Sequence, residues 1–441
     1  TVSDPGRRLA AFVSELTLDD VPVATRDRAG LAIADTVGAI VAGSGADSVE
    51  RLASRWTARE AGGATVLGVT GGQAPPHLAA HCNGTAGTVL ELDEGHRLAG
   101  GHPSIHLLPA LLADTESRDA SRETLVRSFV AGYEVAVRTA RGIGELQSGY
   151  HPHGVWGAVA GAAAVSCARA LSRHRTQAAM SIAANYAQHT RFEAATEGAT
   201  VRNGYAGMSN LAALIAVDQA EAGVEGLTDG IARHLELAAA AGVDRSALTD
   251  GLGERWELDG GYFKIHAACR YTHATLDAVT ALPELDPDAI ESISVETFPA
   301  AARLDGVAPH NRLEAAFSIP FAIATALRRG TTGPDAFAAE AITPETLGLA
   351  ERVTVSVAEP FSSRPPDRRG ARVTVDAGDE RHVQEVAAPL GGEHAPIGEP
   401  RLLEKFRSLV EPVLGETAGE ALWTAARRPV TPRELCALAR P

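Results

Sequence analysis

Two histidine–proline turns and one lysine-bearing segment carry the residue types best suited to proton transfer. His102-Pro103 and His151-Pro152 each lead into an Ala/Leu-rich apolar stretch, and the segment from Lys264 to His273, with Arg270 between them, brings cationic groups to a further helix start. The first N–H groups of a helix are unpaired and partially positive, and proline preorganises that turn, so an anion or a proton-transferring side chain sits well there. Histidine adds a proton that moves near neutral pH. Three cationic helix entrances point to one anion site. The plainer reading of each histidine is that it caps its helix.

Carboxylates crowd the same stretch. Between Asn83 and Ser104 the chain holds Glu91, Asp93, Glu94, His96 and His102, bounded by glycines. Like charges held close raise one carboxylate pKa, and a carboxylate beside an imidazole orients it, which separates acid and base roles at one pH. The alternative is a solvated acidic helix end. His102 and His106 stand four apart, a metal-ligand spacing with His96 as a third donor. Against this, Pro103 and Pro109 interrupt the register and no H-E-x-x-H pattern supplies a base. Arg202, in a Gly-rich loop with Tyr205, suits a bidentate carboxylate contact, an exposed arginine being the rival. His153 reads as exposed. Tyr262-Phe263 either desolvates Lys264 and lowers its pKa or lets the side chain snorkel.

These residues need a scaffold. The chain of 441 residues exceeds what one core usually serves, and its 45% apolar content is ample for two. Aromatics are 5% and glycines number 44, a composition for close-packed Ala, Leu and Val helices. From residue 5 to about 245 apolar positions recur at three and four, as in Leu9, Phe12, Val13 and Leu16. After about 265, β-branched strands are expected at 290–298, 352–357, 371–375 and 382–387, with helices at 313–327 and 334–339. The segment 360–369 reads as a solvated connection, since prolines and a charge run do not pair in a central ladder. Helical texture returns at residue 400. The fold expected is mainly α with an α+β second domain: 1–265 helical, 266–398 a smaller α+β lid, and 399–441 a return to the helical domain.

A net charge of −15 argues against nucleic acid, and no basic stripe with interleaved aromatics compensates. Cys82, Cys167, Cys269 and Cys436 are scattered without a C-x₂-C pair, so they read as small buried hydrophobes in a reducing, cytoplasmic protein. The apolar stretch 31–46 contains Asp35 and glycines, which fits neither a signal peptide nor a spanning helix, and no membrane partner is expected. The numbering opens on Thr1, as if an initiator methionine or short leader had been trimmed.

Taken in order, several stretches resemble the MmgE/PrpD family, which includes 2-methylcitrate dehydratase and cis-aconitate decarboxylase. They are Asn83-Gly-Thr-Ala to His102-Pro103 with Leu108-Pro109-Ala110; Tyr150-His151-Pro152 with Gly157; Gly198 to Gly207; Lys264 to Asp277; Phe317-Ser-Ile-Pro-Phe321; and Lys405-Phe406. The resemblance implies a homodimer of protomers with a large helical domain, built by both chain ends, and an α+β lid. It also implies cofactor-free chemistry on a small di- or tricarboxylate. Family active-site positions fall on His102, His151, Lys264 and His273. Four others are changed: Glu91 replaces an aspartate, Gly95 a threonine, Arg202 a lysine and Phe321 a tyrosine. Arginine is no base at neutral pH, Phe321 cannot donate, and Gly95 lacks a hydroxyl, so a roomier pocket with fewer donors and a substrate other than 2-methylcitrate or cis-aconitate are expected.

The reading is a lyase that removes the proton α to a carboxylate and eliminates water. His102 and His151 are the proton-transfer pair, Glu91 or Asp93 tunes one of them, and Lys264 and Arg202 hold the enolate-like dianion. Arg270, His273, His96, Tyr205 and Phe321 complete the substrate wall. Decarboxylation or isomerisation through the same carbanion, a non-catalytic anion-binding protein, and a metal-dependent hydrolase are the rivals.

Overall fold

The computed structural model describes residues 4–57, 63–365, 368–428 and 430–441. Thr1 and, within the 360–369 segment, Pro366 and Asp367 lie outside them. The protein is mainly α-helical with a small mixed sheet. In the first half the helices are α1 (Pro5–Glu15), α2 (Val23–Gly43), α3 (Asp47–Thr57), α4 (Pro76–Thr88), α5 (Pro103–Ser117), α6 (Arg122–Ile143), α7 (Pro152–Ala168), α8 (Arg173–Asn185), α9 (Glu193–Thr196), α10 (Gly204–Glu221) and α11 (Gly230–Leu235). The Ala-rich α7 is buried nearly end to end among α5, α6, α8 and α10. Small side chains allow such close approach: a Cβ on Gly84 of α4 would stand 2.9 Å from the Gly207 Cα of α10.

The helix after His102 runs unbroken through Pro109, contrary to the expected interruption of register. A mid-helix proline removes one N–H and orphans the carbonyl four residues back. Here Asn210 of α10 repairs the gap: its Nδ2 donates to Ile105 O at 2.8 Å, and its Oδ1 accepts from Ala110 N at 2.8 Å. α5 is thereby tied to α10, and its N-terminus, which begins at His102, is held in place.

Two-residue strands β1 (Ala64–Thr65) and β2 (Gln73–Ala74) pair near α4, and β3 (Gly95–His96) pairs with β4 (Gly261–Tyr262). This second pairing draws the carboxylate-rich segment toward the Lys264 segment. Beyond it come α12 (His273–Thr280), β5 (Ile290–Thr297), α13 (Arg312–Ala316), α14 (Ile319–Arg329), α15 (Pro344–Ala350), β6 (Val353–Val357), β7 (Ala371–Ala377) and β8 (Glu380–Val386). The sheet order is β6-β5-β7-β8, with β5 and β6 parallel and the rest antiparallel. Ile293, Val295, Val373 and Val375 are buried on the face covered by α12 and α14.

The single helix expected at 313–327 is two helices. Ser318 accepts from Phe321 N and Pro320 occupies the first turn, so a new helix starts where the old one would have continued. The helix expected at 334–339 is a pair of 3₁₀ turns. At the end, α16 (Glu399–Leu414), α17 (Glu416–Arg427) and α18 (Pro432–Leu438) pack on the first-half helices α2 and α5. Lys405 of α16 reaches Asp35 of α2 and Leu92 O, each at 2.6 Å. Among the described residues no single helix is long and apolar enough to cross a membrane, and all four cysteines are free and buried.

Candidate active site

A cleft of about 940 Å³, counted to its open mouth, is walled on one side by Glu91, His102, His151, His153 and Arg202, and on the other by Tyr262, Cys269, Arg270, Phe317 and Arg369. At its floor Glu91 is a hub. Its backbone sits at φ +52°, a left-handed conformation that costs a non-glycine residue about 1 kcal/mol. That turn, directly after α4, aims the carboxylate between two cations. Arg202 Nη1 lies 2.5 Å from Oε1, and Lys264 Nζ donates to Oε2 and to the Glu91 carbonyl, both at 3.0 Å. Lys264 is 0% exposed and lies behind Glu91, outside the cleft wall. Asp93, 3.9 Å from Lys264, is pushed up to about 6 by burial, with the Lys264 charge opposing and Glu91 adding.

The expected rival for Arg202, an exposed surface arginine, is overturned: it is 2% exposed, with its plane over the Phe317 ring at 5.5 Å. Its Nε is buried without a hydrogen-bond partner, and the residue lines the cleft.

The imidazoles have complementary tautomers. His102 Nδ1 lies 2.9 Å from the Glu94 carbonyl, which only accepts, so Nδ1 carries the hydrogen and Nε2 presents a lone pair. Asp93 Oδ2, 3.6 Å from the same Nδ1, reinforces that assignment. At His151 the polarity reverses: Nδ1 accepts from the His153 backbone N–H at 3.4 Å, leaving the ring hydrogen on Nε2. So His151 does cap α7, and this cap fixes its tautomer. Burial drives both rings well below the usual histidine range, with Lys264 and Arg202 adding at His102 and Arg202 at His151, so both are neutral at pH 7. Glu94, pushed up to about 7 by burial, accepts from Ser104 N and from the Tyr133 hydroxyl.

His153, expected to be exposed, is buried and lies between the pair. Its ring is 5.1 Å from that of His102 and 4.1 Å from that of His151, edge to face in both cases. Room for it comes from Gly101, where a Cβ would stand 2.6 Å from His153 Nε2. A histidine two residues after the first in His-Pro-His carried no period or spacing that separated it from a surface residue, and only the glycine hole opposite reveals its place. His106, the other member of the metal-spaced pair, directs Nδ1 to Ser209 Oγ at 3.0 Å. Among the described residues no three His, Cys, Asp or Glu side chains are arranged to hold a metal ion.

Several expected wall residues stand elsewhere. His273 is buried off the cleft: Nε2 donates to Ala268 O and Nδ1 accepts from Arg270, both at 3.2 Å, so neither nitrogen is left for substrate. Tyr205 packs on the His151 ring and donates to Arg191 O, which makes it a support for His151. Phe321 is wholly buried against Phe337, so the lost tyrosine hydroxyl does not alter the cleft. The roomier pocket expected at Gly95 is filled. A Cβ there would stand 2.5 Å from Tyr262 Cζ, and the phenol occupies the space. His96 and Arg270 do line the cleft; Arg270 is stacked over Tyr262 at 4.3 Å and donates to Leu390 O and Pro389 O. Cys269 also lines it, with a thiol that burial raises to about 11. The sequence did not mark Phe192, Phe317 or Arg369 as wall residues: Phe192 and Arg369 stand in connecting segments, and Phe317 sits at the break between α13 and α14.

Two family domains match the chain. Residues 7–243 match the MmgE/PrpD N-terminal domain and 266–428 the MmgE/PrpD C-terminal domain. The chain belongs to the MmgE/PrpD family. Relatives of this MmgE/PrpD protein include the cis-aconitate decarboxylase-like protein oryM of Aspergillus oryzae, 26% identical over 92% of this chain and 90% of the relative. Cis-aconitate decarboxylase of Aspergillus terreus is 25% identical over 92% of this chain and 89% of its own length.

Proposed function

We propose that this MmgE/PrpD protein is a lyase that acts on a small di- or tricarboxylate by abstraction of the proton α to a carboxylate and elimination of water. The observation that carries the reading is the opposed tautomers of His102 and His151 on one cleft. His102 Nε2 takes the proton, and the electron pair passes into the carboxylate to form an enediolate, which the charge of Arg202 on the cleft wall stabilises. The C–O bond then breaks, with the neutral His151 Nε2–H donating a hydrogen bond to the departing oxygen. The proton taken up by His102 passes to that oxygen through cleft solvent, so that it leaves as water and the balance closes. Lys264 acts from behind by fixing Glu91, and through it Arg202.

The relatives named as cis-aconitate decarboxylases support a second outcome of the same carbanion chemistry. There a carboxylate leaves as CO₂ and the carbon left with the electron pair takes a proton from cleft solvent, relayed by His102 Nε2. The experiment is an NMR survey in D₂O of hydroxylated and unsaturated di- and tricarboxylates. A conjugated alkene from a hydroxy acid supports dehydration, and released CO₂ supports the second outcome. Binding without α-proton exchange or product from any of them overturns both in favour of an anion-binding protein. We also take the active form to be a cytoplasmic homodimer; exposed Met208 and Ile215, seven apart on α10, with Val201 beside that helix, support a partner copy. Sedimentation velocity at micromolar concentration tests it.

A further inference from the structure

Arg369 belongs to a segment that reads as a solvated connection, yet it lines the cleft opposite the imidazole pair. Its guanidinium carbon lies 5.3 Å from the Tyr271 ring centroid and 5.1 Å from that of Phe298. Two aromatic faces hold the plane of the group without consuming its N–H edge. No carboxylate stands within ion-pair distance of it among the described residues, whereas Arg202 is paired through Nη1 with Glu91 and Arg97 with Glu393. Tyr271 follows Arg270 in one 3₁₀ turn, so among the described residues two cations without an ion-paired carboxylate, Arg270 and Arg369, meet at that turn in a protein of net charge −15. Arg369 also lines a second, more open cavity that shares Arg97, Gly100, Phe192 and Tyr271 with the first. It therefore stands at the junction of the two spaces, toward the mouth from Glu91.

We propose that Arg369 is a second carboxylate anchor, receiving the carboxylate of a tricarboxylate substrate that lies farthest from the reacting carbon. This rests on the polycarboxylate reading above and names its class: three carboxylates, the remote one bound in the fork of Arg369 and the near one facing Arg202. The fork geometry of an arginine matches a carboxylate through two parallel N–H bonds, which lysine cannot reproduce.

Calorimetric titration of the whole protein with two unreactive probes, tricarballylate and succinate, tests it. Arg369→Gln is expected to lose about tenfold or more in affinity for tricarballylate, the loss of one charge-assisted bidentate contact, with less than about twofold change for succinate. Arg369→Lys is expected to recover only part of the loss, and thermal midpoints of both variants should match the parent. Equal affinity of Arg369→Gln and the parent for tricarballylate overturns the anchor and leaves the polycarboxylate reading standing. Failure of the parent to bind either probe overturns that reading and the anchor with it.

Discussion

His102 Nδ1 donates to the backbone carbonyl of Glu94 across 2.9 Å, and this one bond makes the other ring nitrogen the base of the cleft. The carbonyl belongs to the carboxylate-rich turn between α4 and β3, so the tautomer is set by main chain that the β3–β4 pairing holds in place. His151 receives the opposite assignment from the α7 backbone.

The two histidines should therefore fail differently. His102→Gln is expected to abolish α-proton exchange into D₂O along with turnover, a loss of about 10²–10⁴ in kcat for a positioned base. His151→Gln should keep exchange while losing product formation by a similar factor. NMR of substrate in D₂O reads both; exchange lost in His151→Gln and kept in His102→Gln would reverse the roles.

Lys264 is expected to matter first to stability. Lys264→Met leaves Glu91 and Asp93 buried with one cation fewer, and breaking a buried pair costs about 3–5 kcal/mol. Urea denaturation should show that loss, and Lys264→Met with Glu91→Gln should recover part of it, because the uncompensated charge is then gone. A single variant within about 0.5 kcal/mol of the parent contradicts the hub, since that is the range of ordinary surface substitutions.

Gly101→Ala should act through His153. The added methyl meets the His153 ring, so overpacking of about 1–3 kcal/mol is expected together with reduced kcat. His153→Ala in the same chain removes the clash, and thermal melts should show Gly101→Ala/His153→Ala more stable than the two single changes predict by addition. Strict additivity would place His153 elsewhere.

Stability should fall on both sides of neutrality. His96 and His106, each lowered by burial to about 3, and His102, His151 and His153, lowered by the same cause, stay neutral when folded but bind protons when unfolded below about 6.5. Their contribution is present above 6.5 and is lost as pH falls toward 3. Glu94 and Glu134, raised by burial to about 7 and about 8, hold protons that the unfolded chain releases near 4.5. Their contribution is full below 4.5 and is lost as pH rises through 7 and 8. Thermal midpoints from pH 4 to 9 are expected to peak between about 6 and 7. A midpoint that climbs steadily to pH 9 contradicts the burial of Glu94 and Glu134.

Much of this was legible in the chain. Apolar spacing of three and four marked the first-half helices, and β-branched runs marked β5, β6, β7 and β8 to within a few residues. His-Pro at 102 and 151 announced helix starts, because proline suits only the first turn. Local signals missed Ser318, which restarts a helix mid-pattern, and Asn210, which makes Pro109 harmless from a different helix.

The sequence by itself determined which residue types were present to move protons and bind anions, and which segments were helix or strand, since periodicity and capping act over a few residues. Tertiary structure alone decided their duties. Lys264 went behind Glu91, His273 was consumed by Arg270 and Ala268, Phe321 turned into a core, and His153 and Arg369 came to the cleft. Each outcome depends on a partner far along the chain. The protonation of an imidazole and the reach of a guanidinium are set by what stands within about 3 Å of them, and no spacing in one dimension encodes that neighbour.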